Sequence, residues 1–203
     1  MDDRYLIPAR DGEGKVTEKM SRFLSFAFHV HDAGEAREII RRFQNEYHDA
    51  RHVCWAYVVG TDGAEWQLND NGEPSGTAGK PMLGQIRSRG LTETLVVAVR
   101  YFGGIKLGTP GLTAAYREAA SLALDDAGSR EAFRMEELRV TFPYVAADGV
   151  MKIVKGEGLE VVEKIFDNVC TLRLHCRSSA LAVTAGRLAA VDGASVETVS
   201  AGV

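Results

Sequence analysis

The apolar run Leu95-Val96-Val97-Ala98-Val99 passes without a break into RYFGGIKLGTPGL, residues 100 to 112. Valine-rich runs of this length read as strands, and Thr109-Pro110 marks a helix start, because a missing N–H costs least in a first helical turn. The chain therefore has to leave a strand, turn within a few residues and enter a helix. Gly103, Gly104, Gly108 and Gly111 crowd that turn. Glycines let a backbone approach a phosphate closely, and they also let a strand and a helix pack tightly. The two uses imply different functions.

Around this centre the local patterns predict a mixed α/β (α+β) protein. RFLSFAFHVH from Arg22 reads as a strand, and Asp32 can cap a helix in which Ala36, Ile39, Ile40 and Phe43 recur at helical spacing. VCWAYVVG reads as a second, buried strand, closed by Thr61-Asp62-Gly63, with EWQLND as its short partner. Residues 69 to 81, NDNGEPSGTAGKP, read as a loop, Pro81 sits in the first turn of a helix through about Ser88, and LTETLVVAVRYF is the third strand. The helix opened by Pro110 runs to about Asp125. Residues 1 to 20 are polar and unpatterned, and read as an extended or loosely attached arm. After the charged stretch 125 to 137 a new rhythm begins, strand, helix, two strands around Asp167-Asn168, helix and strand. That βαββαβ order is the ferredoxin-like arrangement.

Charge distribution narrows the function classes. The net charge is -4, yet residues 80 to 117 carry +5 against -5 and -4 for the segments before and after. Because salt screens fields beyond about 10 Å, a local basic patch suits phosphate, RNA or an acidic partner whatever the total. No signal-peptide run or stretch of membrane-spanning length is present, so a cytoplasmic protein without membrane contact is the expectation. Cys54, Cys170 and Cys176 form no CxxC pair and read as reduced, packed thiols.

Nucleotide-loop patterns are not met. Gly103 to Gly108 has P-loop glycine spacing but continues Thr109-Pro110, and Gly79-Lys80 is followed by Pro81. His52, Cys54, Glu73 and Ser75 contain the side chains of a hydrolase site, but the orienting group and oxyanion pocket such a site needs are not legible, and packing roles are the simpler reading. His29 and His31 share a strand face without carboxylates at metal spacing. Neither a cofactor nor a metal is expected, and the balance is against an enzyme.

HVCWAYVVG, NDNGEPSGTAGKPML and VVAVRYFGGIKLGTPGL, in this order, resemble the signature of the IMPACT family, whose bacterial members are known as YigZ-like proteins. The resemblance is strong over roughly residues 20 to 125. It implies an IMPACT-type domain with the fold of the second domain of a small-subunit ribosomal protein, followed by a tail similar to the last domain of elongation factor G. The divisions expected are an arm, 1–20, an IMPACT N-terminal domain, 21–127, and a ferredoxin-like domain, 128–203. Two positions depart from the family pattern: Ala114 stands where an arginine is common, and Asn71 where aspartate is usual.

The family's eukaryotic members regulate translation by competing for an activator of a stress kinase. The resemblance and the basic segment together suggest a translation-associated regulatory module that binds RNA or the ribosome. The alternatives are a protein-interaction regulator without nucleic acid contact, and an enzyme acting on a small phosphorylated or acyl substrate. The candidate binding residues are Glu73, Ser75, Gly76, Thr77 and Lys80 from the loop, with Arg100, Tyr101, Gly103, Gly104 and Lys106 from the turn. They are expected to face one crevice as an anion site. In the other reading the glycines serve tight turns, and Arg100 is paired to Glu73 or Asp70.

Overall fold

The computed structural model describes residues 3–199; residues 1 and 2 of the expected arm and 200–203 of the expected tail lie outside the described residues. The chain divides into two compact units, Tyr5–Ala132 and the combination of Met1–Arg4 with Phe133–Val203.

The first unit contains β1 (Arg4–Pro8), β2 (Gly12–Glu18), β3 (Ser21–His29), α1 (Ala33–Glu46), β4 (His52–Val59), β5 (Glu65–Asn69), α2 (Gly79–Ser88), β6 (Thr94–Tyr101), α3 (Gly108–Ala127) and β7 (Ser129–Phe133). Five strands form an antiparallel sheet in the order β2-β3-β6-β4-β5. Strand β6 lies at its centre, and all of Thr94 to Val99 is buried, as expected for a strand covered on both faces. Alternation divides its side chains. Val96 and Ala98 enter the core under α2 and α3, while Leu95, Val97 and Val99 enter the core under α1. Asp32 caps α1 by accepting from the Glu35 N–H at 2.9 Å. Ala36, Ile40 and Phe43 form the buried stripe of α1, and the two larger side chains contribute about 1.5–3 kcal/mol each through burial.

Within residues 1–20, expected as a loose arm, Arg4–Pro8 and Gly12–Glu18 are instead strands. β1 pairs with β7, inside the charged stretch 125 to 137, and β2 is an edge strand of the main sheet. β2 lacks an apolar alternation because two of its three inward positions, Gly12 and Gly14, are glycines, with Val16 the third. A Cβ on Gly12 would overlap the Ala123 carbonyl and the Ala127 N–H, and one on Gly14 would lie 2.7 Å from the Ala123 nitrogen. Helix α3 supplies alanines, and β2 supplies glycines, so that two backbones meet. Ser25 on β3 completes the seam, donating to the Ala119 carbonyl at 2.5 Å.

The second unit holds β8 (Met135–Pro143), a short 3-10 turn at Tyr144–Ala146, α4 (Ala147–Gly156), β9 (Glu160–Ile165), β10 (Val169–Arg177), α5 (Leu181–Ala189) and β11 (Ser195–Val199). Its sheet order, β11-β8-β10-β9, is antiparallel throughout and is that of the ferredoxin-like arrangement. Leu138, Val140, Leu172 and Leu174 point to one face, where Val150, Val154 and Leu188 of the two helices cover them. Asp3 belongs to this unit. Its buried carboxylate accepts from Arg177 at 2.7 and 3.1 Å and from the Ser179 hydroxyl at 2.6 Å.

Two outcomes follow. Gly12→Ala or Gly14→Ala should cost about 1–3 kcal/mol in thermal or denaturant unfolding through overpacking, whereas Lys15→Ala on the exposed face of the same strand should stay within about 0.5 kcal/mol. The hydrogen bonds from Arg177, then from Ser179, hold the Asp3 carboxyl well below its ordinary value of 3.8. A depressed carboxylate stabilises fully above that ordinary value and loses its contribution as pH falls toward the folded one. Protection factors of amides in the second unit, with the intrinsic pH dependence of exchange divided out, should therefore fall between about pH 5 and about pH 3, and Asp3→Asn should reduce that pH dependence while lowering protection at neutral pH.

Candidate functional site

At the end of the main sheet nearest the glycine-rich turn, Phe23 of β3, Arg100 of β6 and His52 of β4 lie side by side in one register row. All three are on the α3 face. The Arg100 side chain is only 7% exposed there, with its guanidinium carbon 5.5 Å from the centre of the Phe23 ring. A charge so buried has to be met. Glu73, carried in by the loop between β5 and α2 and itself 3% exposed at its side chain, receives the Arg100 Nη1 on both oxygens at 2.7 and 3.0 Å. Tyr116 of α3 donates to the same carboxylate at 2.8 Å. His52 Nε2 is 3.9 Å from it, and His52 Nδ1 lies 2.8 Å from the Asn71 carbonyl oxygen. Arg100 Nε is buried without a hydrogen-bond partner among the described residues.

The loop that delivers Glu73 is built on Asp70. Its carboxylate accepts the backbone N–H groups of Gly76, Ala78 and Gly79 at 2.8 to 3.0 Å. Asn71, Gly72 and Gly76 adopt positive φ, and the Asn71 side chain donates to the Val53 carbonyl at 3.0 Å. Loop N–H groups expected to face an external anion are thus turned onto the loop's own carboxylate. Thr77 likewise donates its hydroxyl to the Pro74 carbonyl at 2.6 Å.

Beside the Glu73–Arg100 pair opens a cleft of about 470 Å³. Arg51, His52, Arg100, Phe102, Lys106 and Thr109 are among its walls, and Glu73 is the single acidic residue among those lining it. Gly108 and Thr109 bring the start of α3 to the cleft, and no side chain caps that helix and no acidic residue sits in its first turn. The positive end of the helix dipole favours an anion there.

Of the residues expected to share a crevice, Glu73, Arg100 and Lys106 do line this cleft. Tyr101 does not. Being next to Arg100 on a strand, it points to the opposite face, where its hydroxyl donates to Asp49 at 3.0 Å and Arg22 lies over its ring. Ser75 and Lys80 are exposed and are not among the lining residues, and Gly76 and Thr77 serve the loop's internal bonding. Gly103 is required for close approach, since a Cβ there would overlap the backbone of Met20 and Ser21, while Gly104 takes φ +91°. Arg51, Phe102 and Tyr116 were not foreseen. Strand alternation from Arg100 to Phe102 is the signal that would have found the second of them.

The set His52, Cys54, Glu73 and Ser75 comes together only in part. Cys54, two residues after His52 on β4, is fully buried, donates to the Asp70 carbonyl at 3.0 Å, and lies 3.4 Å from the Tyr116 hydroxyl. Burial pushes its thiol up to about 12, so it is not a thiolate near neutral pH. Burial likewise holds the Tyr116 phenol far above its usual range. No cluster of three metal-ligating side chains occurs among the described residues. No helix among them is long and apolar enough to cross a membrane.

The Glu73–Arg100 pair is testable as a unit. Glu73→Ala or Arg100→Ala should each cost about 3–5 kcal/mol in denaturant unfolding by stranding the partner's charge. The double variant should lose less than the sum of the two, because neither charge is then left unpaired.

Comparison with known proteins places the same segments in a family. Residues 19–124 match the Impact N-terminal domain. IMPACT family member YvyE of Bacillus subtilis is 39% identical over 69% of this chain, and the aligned part spans 64% of that relative, less than two thirds of its length. IMPACT family member YigZ of Escherichia coli is 32% identical over 92% of this chain and 93% of its own. The crystal structure of a hypothetical protein superposes with a TM-score of 0.76 at 30% identity, covering 100% of this chain and 99% of that one.

Proposed function

We propose that this chain, which belongs to the IMPACT family, is a translation-associated regulatory binding module that takes phosphate groups of RNA, free or on the ribosome, in the cleft beside Glu73 and Arg100. One observation carries the reading. Arg51, Arg100 and Lys106 converge with the uncapped start of α3 around a concavity in which Glu73 alone is acidic. Glu73 offsets one of the three cations, so the cleft keeps a net positive charge on a protein whose total is -4. Selection of that local sign against the global one is what an anionic polymer would require. Family membership fits a translation-related regulatory role, and a cytoplasmic setting goes with it.

Within the cleft the roles divide by burial. Arg100 is committed to Glu73 and sets the floor. Arg51 and Lys106 are exposed and free to neutralise phosphates. Replacing both with alanine should leave the melting temperature nearly unchanged, since exposed substitutions usually cost less than about 0.5 kcal/mol. RNA affinity should fall, and the slope of its logarithm against the logarithm of salt should drop by about 0.7 for each lost contact with a single strand. Lys80→Ala, outside the cleft, should leave the slope as it is. An unchanged slope in the folded Arg51→Ala, Lys106→Ala variant would remove this cleft as the RNA site.

A further inference from the structure

The cleft also has an aromatic wall. Phe102 follows β6 two residues after Arg100 and keeps its side chain on the same face, with the Arg100 guanidinium carbon 5.6 Å from the ring centre. With 43% of Phe102 exposed, part of its ring surface is open to the cleft it lines. The same walls present cations. These are the exposed Arg51 and Lys106; behind them the Arg100 side chain is 7% exposed, with a buried Nε that has no hydrogen-bond acceptor among the described residues, and the start of α3 has no capping side chain.

We infer that the cleft accommodates one nucleotide of single-stranded RNA, its base stacked on the exposed surface of Phe102 and its phosphate held by Arg51, Lys106 and the first turn of α3. The inference rests on the RNA reading above and narrows it. Its grounds are chemical. Every base has a π-face that an aromatic ring can stack, and stacking beside cations that follow the backbone is how single strands are held without sequence preference. An opening of about 470 Å³ has the scale of a small-ligand pocket, so it suits an unstacked nucleotide. A duplex offers no free base face, because its bases are stacked on one another and its edges lie in the grooves. The position of Arg100 against Phe102 strengthens the platform, since a guanidinium over one part of a ring is compatible with a base over another.

The experiment uses the full chain with four probes: a short single-stranded RNA carrying 2-aminopurine, a hairpin whose stem has the same sequence, the corresponding nucleoside monophosphates, and inorganic phosphate. The single strand should bind best, and the hairpin stem at least tenfold more weakly. Phe102→Ala and Phe102→Leu should each weaken the single strand about tenfold and remove the quenching of 2-aminopurine. Phe102→Tyr should retain both. The salt slope should be the same in all three variants, because stacking releases no counterions. The leucine variant keeps an apolar side chain at a partly exposed position, and a melting curve reports whether it is folded.

Wild-type affinity in folded Phe102→Leu, or equal binding of stem and single strand, would overturn the inference while leaving RNA binding intact. Nucleoside monophosphates binding as tightly as the oligonucleotide would overturn it in favour of a free nucleotide. Binding of none of the RNA probes would overturn both this inference and the proposed function. Inorganic phosphate alone, bound as well as RNA and insensitive to Phe102, would reduce the site to an anion cradle.

Discussion

The ion pair between Glu73 and Arg100 is the constraint on which this end of the first unit is organised. A guanidinium buried on the central strand cannot be left without a carboxylate, and neither β4 nor β3 supplies one beside it. The carboxylate therefore has to come from a loop, and the loop has to be held rigidly enough to deliver it. Asp70 does this by drawing three backbone N–H groups onto its own side chain, with Asn71 and two glycines accepting left-handed geometry on the way. What looks in sequence like a flexible glycine-rich stretch is a closed, internally bonded structure whose product is the position of one glutamate.

This arrangement changes which residues are available to a ligand. Arginine and lysine near a glycine turn invite the assumption that all of them meet an anion. Burial sorts them. Arg100 spends its strongest bonds inside the protein, whereas Arg51 and Lys106 stand exposed at the edge, without an ion pair among the described residues. The carboxylate on the cleft wall repels an anion less than its formal charge suggests, because both its oxygens already accept from Arg100 Nη1 and one also accepts from the Tyr116 hydroxyl.

Helix α1, strands β4 and β6 and the whole βαββαβ tail were legible because each carries its own periodicity or turn signal. Strands β1, β2 and β7 were not, because their extended state is imposed by neighbours. Gly12 and Gly14 have low strand propensity and no side chain to pack; they are strand residues because α3 lies against them. The site was legible to the same degree. For Arg100 the sequence left Glu73 and Asp70 as alternative partners beside a role in binding an anion, and the structure pairs it with Glu73. Tyr101 was misplaced by reading proximity in sequence as proximity in space, when adjacent strand residues face opposite ways. Arg51 comes from a segment with no pattern of its own and is brought in only by the pairing of β4 with β6.

Helix α3 connects these observations. Its first turn, at Gly108 and Thr109, bounds the cleft; Leu112 lines it one turn later; Tyr116 holds Glu73 one turn after that; and Ala119 and Ala123 meet Ser25, Gly14 and Gly12 on β3 and β2. These positions recur at three- and four-residue spacing and so lie on one side of a single rod. A helix is stiff along its axis, and the glycine seam offers no side chains that might repack. The depth at which α3 seats on β2 therefore fixes where Tyr116 meets Glu73 and where the helix opens into the cleft. The glycines of a segment with no apparent signal in sequence belong to the same mechanical unit as the cations at the opposite end of the helix.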